Sequence, residues 1–123
     1  MFQVQQFHHA SLIVSSTTRA LEFYVGLLGL EQTHERPDLG YPGAWLSIGD
    51  QQIHLLELPN PDPLEDRPAH GGRDRHLAFR VNHLLTLVEK LKANNTTYSL
   101  SKSGRKALFC RDPDQNALEF FEA

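Results

Sequence analysis

The sequence predicts an α+β protein built from two tandem βαβββ modules. Three observations predict it. Each half opens with an alternating apolar run followed by a helical stripe. Each half closes with three further strand-like runs. A stretch rich in proline and glycine separates the halves. The chain has 123 residues, the size of one domain, and its 40% hydrophobic and 22% charged residues make a globular composition. The modules are expected at about 4–58 and 74–122, with a linker over 59–73. Each module is too small to close a sheet alone, so residues 1–123 are expected to make a single domain.

The first strand is expected over 4–14, where Ala10, Leu12 and Val14 alternate with His9, Ser11 and Ile13. Ser15, Ser16, Thr17 and Thr18 offer caps for a helix over 18–28, whose stripe is Ala20, Leu21, Tyr24, Leu27 and Leu28. Gly29 stops it. Strands are expected over 30–36, 44–48 and 51–58, with turn chemistry at 37–43 and at Gly49-Asp50. The pattern restarts with a strand over 75–81. Asn82 can cap a helix over 83–94 that turns Leu84, Leu87, Val88 and Leu91 inward. Strands near 96–101, 105–111 and 116–122 follow, the last two joined by a turn at 112–116.

Composition narrows function. A net charge of −3 without a basic stripe gives no footprint for nucleic acid or anionic membrane. Apolar runs are too short to span a bilayer, and the N-terminal residues do not read as a secretory signal. A cytoplasmic protein is expected. The lone Cys110 excludes an internal disulfide and reads as a small buried hydrophobe. Seven histidines are many for this length and direct attention to metal ligation.

The halves repeat. His9-Ala10-Ser11-Leu12-Ile13-Val14 matches His76-Leu77-Ala78-Phe79-Arg80-Val81 at an offset of 67 residues. The last strand of each half carries a ligand-type residue, His54 in the first and Glu119 in the second. Period-two faces turn His9, His54, His76 and Glu119 away from the helices, toward the concave side of the sheets. Three imidazoles and one carboxylate suit a divalent first-row metal. Taken singly, a strand histidine is more often a surface or hydrogen-bonded residue, and His34, His70 and His83 are read that way. Glu57 falls on the face opposite His54 and is not expected to be a ligand.

The segments HHASLIVSSTTRALEFYVGLLGLE, GAWLSIGDQQIHLLELPNP, GGRDRHLAFRV and CRDPDQNALEFFE cover nearly the whole chain. Together they resemble the vicinal oxygen chelate superfamily, which includes glyoxalase I, extradiol dioxygenases, and the fosfomycin and bleomycin resistance proteins. The resemblance implies paired βαβββ modules forming a cupped mixed β-sheet with flanking helices around a metal. It carries the ligand positions onto His9, His54, His76 and Glu119, the set that the face pattern selects. Glyoxalase I-like members often have glutamate or glutamine where this chain has His54. The chain resembles most the glyoxalase-like proteins of undefined substrate. Gln115 stands where a glycine is usual in the late turn.

The resemblance implies a metal-dependent isomerase or lyase acting on a small chelating oxygen substrate, with Glu119 as both ligand and catalytic base. The metal is Zn, Ni, Co, Fe or Mn. Arg80, Trp45 and Ser11 are candidate substrate contacts. For Arg80 and Trp45 the competing readings are a strand-surface arginine and a core-packing indole. A homodimer is implied, with modules pairing within or between chains. Three alternatives stand beside this reading. An extradiol-type dioxygenase would use two histidines and one carboxylate. A fosfomycin-modifying transferase is partly suggested by Ser101–Lys106. A non-enzymatic drug- or metabolite-binding resistance-type protein usually lacks the full ligand set.

Overall fold

The computed structural model describes residues 1–123, which divide into two compact units, Met1–Asn60 and Pro61–Ala123. Each unit is one βαβββ module with its own four-stranded mixed sheet.

In the first unit, strand β1 (His9–Val14) leads to helix α1 (Thr17–Leu21), which continues as a π-helix over Glu22–Leu27. Strands β2 (Glu31–Thr33), β3 (Gly43–Ile48) and β4 (Gln51–Glu57) follow, and the sheet order is β1-β4-β3-β2. β1 runs parallel to β4, and β3 is antiparallel to both β4 and β2. The expected strand over 4–14 begins only at His9. Its neighbour β4 starts at Gln51, and Val4 and Phe7 are left exposed. The expected helical stripe also shifts. The wider π turns bring Phe23 inward beside Ala20 and Tyr24, while Leu21, Leu27 and Leu28 stay half-buried. Gly29 stops the helix in the left-handed conformation, φ 78°. β2 is shorter than the expected 30–36, because only Glu31–Thr33 pairs with β3.

In the second unit, β5 (His76–Val81), α2 (Leu84–Ala93), β6 (Tyr98–Leu100), β7 (Ala107–Arg111) and β8 (Ala117–Glu122) repeat the topology in the order β5-β8-β7-β6. α2 buries Leu84, Leu87 and Leu91, as its stripe predicts, and Leu108, Leu118 and Phe120 of the sheet are buried as well. Asn82 does not cap it. The first helical N–H, on Leu84, donates to Glu122 Oε1 at 2.8 Å. The first unit does the same, where the N–H of Thr17 donates to Glu57 Oε1 at 2.7 Å, in addition to Ser16 Oγ accepting from the N–H of Arg19. In both modules, then, a carboxylate from the last strand satisfies the helix start and meets the positive end of its dipole.

The stretch expected to be a free linker is largely part of the second unit. It includes a 3-10 turn at Gly71–Arg73. Asp74 anchors it: Oδ2 accepts from Arg67 Nε at 2.9 Å and Arg111 Nη1 at 2.8 Å, and Oδ1 accepts from the N–H of Arg75. Arg111 also donates to the carbonyl of Pro68 at 2.7 Å. Gly71 lies against Phe109 and Ala117, where an added Cβ would be in contact at 3.4–3.5 Å. The β7–β8 turn is built by Asp112, whose Oδ1 accepts from the N–H groups of Asp114 and Asn116. Gln115 takes the left-handed position of that turn, φ 70°.

Burial raises the Asp74 pKa, but hydrogen bonds from Arg111 and Arg67 outweigh it and bring the carboxyl down to about 2 from 3.8. A lowered carboxyl contributes its stability above the ordinary value and loses it as pH falls toward about 2. Asp74→Asn is expected to cost about 2–3 kcal/mol at neutral pH, by leaving two guanidiniums short of a partner. It should also flatten the acid limb of stability between the ordinary carboxyl value of 3.8 and the lowered value of about 2. Urea denaturation across that range checks both.

Candidate active site

The parallel pairing of first and last strands sets the site. In the first unit His9 lies opposite Gln52 and Ser11 opposite His54, so His9 and His54 are diagonal neighbours on one face. In the second unit His76 lies opposite Ala117 and Ala78 opposite Glu119, so His76 and Glu119 stand in the same diagonal relation. Each unit therefore brings together two of the four residues that the repeat singles out. Within neither unit do three or more His, Cys, Asp or Glu side chains gather as a metal site.

His54 is 8% exposed and lies between two rings. His9 stacks on it at 3.9 Å with an interplanar angle of 12°, and Trp45, its partner across the β3–β4 ladder, stacks at 4.2 Å and 6°. Trp45 thus lies on the histidine face and holds the imidazole. His54 Nε2 lies 2.7 Å from Gln52 Oε1, which accepts from the ring when Nε2 carries the proton. Burial, and then the charges of His9, His8 and Arg36, push the His54 pKa down from 6.5 to about 4. The ring is neutral at physiological pH and keeps a lone pair, as a metal ligand must. His9 Nδ1 is 2.8 Å from His8 Nδ1, a contact in which one ring donates to the other. Ser11 is exposed in register with His54.

The second pair sets an imidazole against a carboxylate. His76 Nδ1–H donates to the carbonyl of Asp74 at 2.9 Å, and its Nε2 lies 3.1 Å from Glu119 Oε1. A backbone carbonyl on one ring nitrogen orients the other, which is how metal-bound histidines are commonly held. With a proton on Nε2 the contact is a charge-assisted hydrogen bond. Without it, two donor atoms face each other at about the separation of adjacent ligands on one ion, given metal–ligand distances of about 2.0–2.2 Å. Phe109, opposite Glu119 in the β7–β8 ladder, stands edge-on to His76 with ring centroids 5.5 Å apart. Each unit by itself thus offers a pair of donor types that divalent first-row ions accept, two imidazoles in the first and an imidazole with a carboxylate in the second.

Arg105 was not singled out from the sequence as a site residue. Its Nη2 lies 3.4 Å from Glu119 Oε2. Gln52 was also missed as a partner of His54, although its place two residues away on one strand face was the available signal. Glu57 is turned to the helix, as the alternation predicts. Cys110 is buried, and burial with the nearby Asp112 charge pushes its thiol up to about 12, so it is no nucleophile. A cavity of about 410 Å³ in the second unit is lined by residues that include Gly71, Tyr98, Ser99 and Phe109, and so shares Phe109 with His76.

A lowered histidine pKa stabilises the fold above 6.5 and loses that contribution as pH falls toward about 4. His54 is therefore expected to titrate near 4 by NMR in the metal-free protein, and Trp45→Ala, by admitting water, should raise that value toward 6.5. A His54 midpoint of 6.5 in the folded wild type would contradict this assignment.

Residues 6–120 match the family model described as the Glyoxalase/Bleomycin resistance protein/Dioxygenase superfamily. The uncharacterized protein YwkD of Bacillus subtilis (strain 168) is 32% identical over 126 aligned residues, covering 97% of this chain and 98% of the relative. A lactoylglutathione lyase of Escherichia coli O157:H7 is 29% identical, covering 93% of this chain and 90% of the relative. Among solved structures, a glyoxalase family protein from Bacillus anthracis superposes with a TM-score of 0.79 at 22% identity, covering 99% of this chain and 98% of that one, a likeness of fold. From the match over residues 6–120 and the 32% identical relative that covers 97% of it, the chain belongs to the glyoxalase/bleomycin resistance protein/dioxygenase superfamily.

Proposed function

We propose that the protein is a metal-dependent lyase or isomerase of the glyoxalase type, with His9, His54, His76 and Glu119 as metal ligands and Glu119 as the base. The observation that carries this reading is the repeated diagonal contact: His9 on His54 in one module, His76 on Glu119 in the other. Two unrelated surface pairs would have no reason to occupy the same register in both modules. A divalent ion bound by these residues supplies Lewis acidity to adjacent oxygens of a small substrate.

The chain's own residues supply the rest. His54 is kept neutral by burial, and Trp45 and Gln52 hold its ring in place. The Asp74 carbonyl orients His76. Glu119 lies on the same face as His76, and its carboxylate can take a proton from a substrate carbon and return it to a neighbouring atom. Its two oxygens already face different partners, His76 at Oε1 and Arg105 at Oε2. One oxygen can therefore stay oriented while the other exchanges a proton. A fourth donor, His54, separates this set from the two-histidine, one-carboxylate arrangement of an extradiol-type site.

The purified protein is expected to carry about one first-row metal per chain, as a single mononuclear site requires. His54→Ala should lose or weaken it. With metal bound, Glu119→Gln should lower turnover of the hemithioacetal of methylglyoxal by about 10²-fold or more, because an amide oxygen can still face a metal but cannot accept the proton. Elemental analysis and initial rates on the same samples check both. No metal, together with no thermal stabilisation by Ni, Co, Zn or Mn, would sink the metalloenzyme reading.

A further inference from the structure

Three cations near the candidate donors are committed to structural partners. Arg111 holds Asp74, Lys106 holds Glu122 at 2.9 Å, and Arg36 donates to the Tyr41 carbonyl at 2.7 Å. Two others are not. Arg80 is exposed on β5 and makes no hydrogen bond or ion pair, and it lies in register with Phe121 of β8. Arg105, in the β6–β7 loop, is 54% exposed, and its guanidinium carbon stands 4.9 Å over the same Phe121 ring. Its contact with Glu119 Oε2, at 3.4 Å, is longer than a charge-assisted hydrogen bond of about 2.7–2.9 Å. The Arg105 guanidinium thus covers one half-buried aromatic ring whose register partner on β5 is Arg80, on the strand face that carries Glu119 two residues earlier.

We propose that Arg80, Arg105 and Phe121 form a carboxylate-binding subsite, so that the substrate is an organic anion whose carboxylate lies about 7 Å, two strand residues, from the atom that Glu119 serves. The subsite rests on the proposed function above for its role in catalysis, but not for its ability to bind an anion. A planar guanidinium pairs with a carboxylate through two N–H donors, and the Phe121 face offers a surface for the carbon chain between carboxylate and reacting centre. In the free protein Glu119 Oε2 occupies Arg105 as an internal substitute. A ligand carboxylate would take that place and leave Glu119 to its other partners. Glycine at 104, with φ 82°, and the Ser101–Ser103 hydroxyl pair at 2.8 Å shape the loop that presents Arg105.

The test titrates the metal-free full-length protein with glutarate and follows the Phe121 ring and arginine Nε–H resonances by NMR. Saturable shifts at Phe121 and at both guanidiniums are expected. Arg105→Gln and Arg80→Gln should each weaken binding about tenfold, the loss of one charged contact. Glu119→Gln should strengthen it, because Arg105 is then released from an internal anion, a response that a merely solvated arginine would not show. Shifts absent in the wild type, unchanged in Arg105→Gln, or reproduced equally by inorganic phosphate would overturn the subsite. Metal analysis of the wild-type protein as purified, before its metal is removed for the titration, separates the two readings. Metal without glutarate binding retains the metalloenzyme and removes the subsite, and glutarate binding without metal does the reverse.

Discussion

The parallel pairing of first and last strands within each module is the constraint on which the rest of the structure depends. β1 on β4 and β5 on β8 share one register, in which Ser11 faces His54 and Ala78 faces Glu119. A slip of one residue would turn every side chain on the slipped strand to the opposite face. His9 would leave His54 and enter the helix side, and Leu12 would emerge. The apolar faces prevent this, because Val14, Ile53, Leu55, Leu118 and Phe120 are buried on the side away from the histidines. The helix caps reinforce it. Glu57 and Glu122, at the ends of the last strands, reach the first N–H of their module's helix. Strand register and helix position are thereby tied to each other through one carboxylate in each module.

On this shared scaffold the two modules have different electrostatics. The first pair is a stack of rings, with His54 held neutral between His9 and Trp45. The second is an imidazole–carboxylate pair bordered by Phe109, with a guanidinium behind it. In both, the residue across the antiparallel ladder from the last-strand donor is aromatic: Trp45 opposite His54, Phe109 opposite Glu119. An aromatic neighbour excludes water without adding a competing polar group. For His54 desolvation is the leading cause of its lowered pKa. For the second pair Phe109 abuts His76 from the side while the Asp74 carbonyl orients the ring. Asp74 therefore serves two purposes. Its carboxylate ties down the segment before β5, and its carbonyl positions a candidate ligand.

The βαβββ order, the two helices and the faces of His9, His54, His76, Glu119 and Glu57 were legible in the sequence, because period-two alternation needs only the chain's own order of residues. The diagonal contacts were partly legible too, since the internal repeat places equivalent residues in equivalent strands. Other features depended on neighbours far away in sequence. Residues 4–7 lie beyond the pairing with β4, which begins where the Gln52 N–H donates to the His8 carbonyl. The π winding brings Phe23 inward, which a regular 3.6-residue period does not foresee. The caps come from carboxylates 38–40 residues away, not from Asn82.

The sequence by itself determined the repeat, the strand faces and the donor types, because these follow from residue chemistry and short-range periodicity. Only the tertiary structure decided what each donor touches. Trp45, which the sequence left between core and pocket wall, became the ring on which His54 rests, because β3 pairs with β4 in one register. The proline-rich segment became part of the second unit, because Arg67 and Arg111 converge on Asp74. Arg105 reached Glu119 through a loop whose course no local pattern specifies. Such contacts join residues that are distant along the chain, and their geometry is set by sheet pairing and loop closure, neither of which alternation encodes.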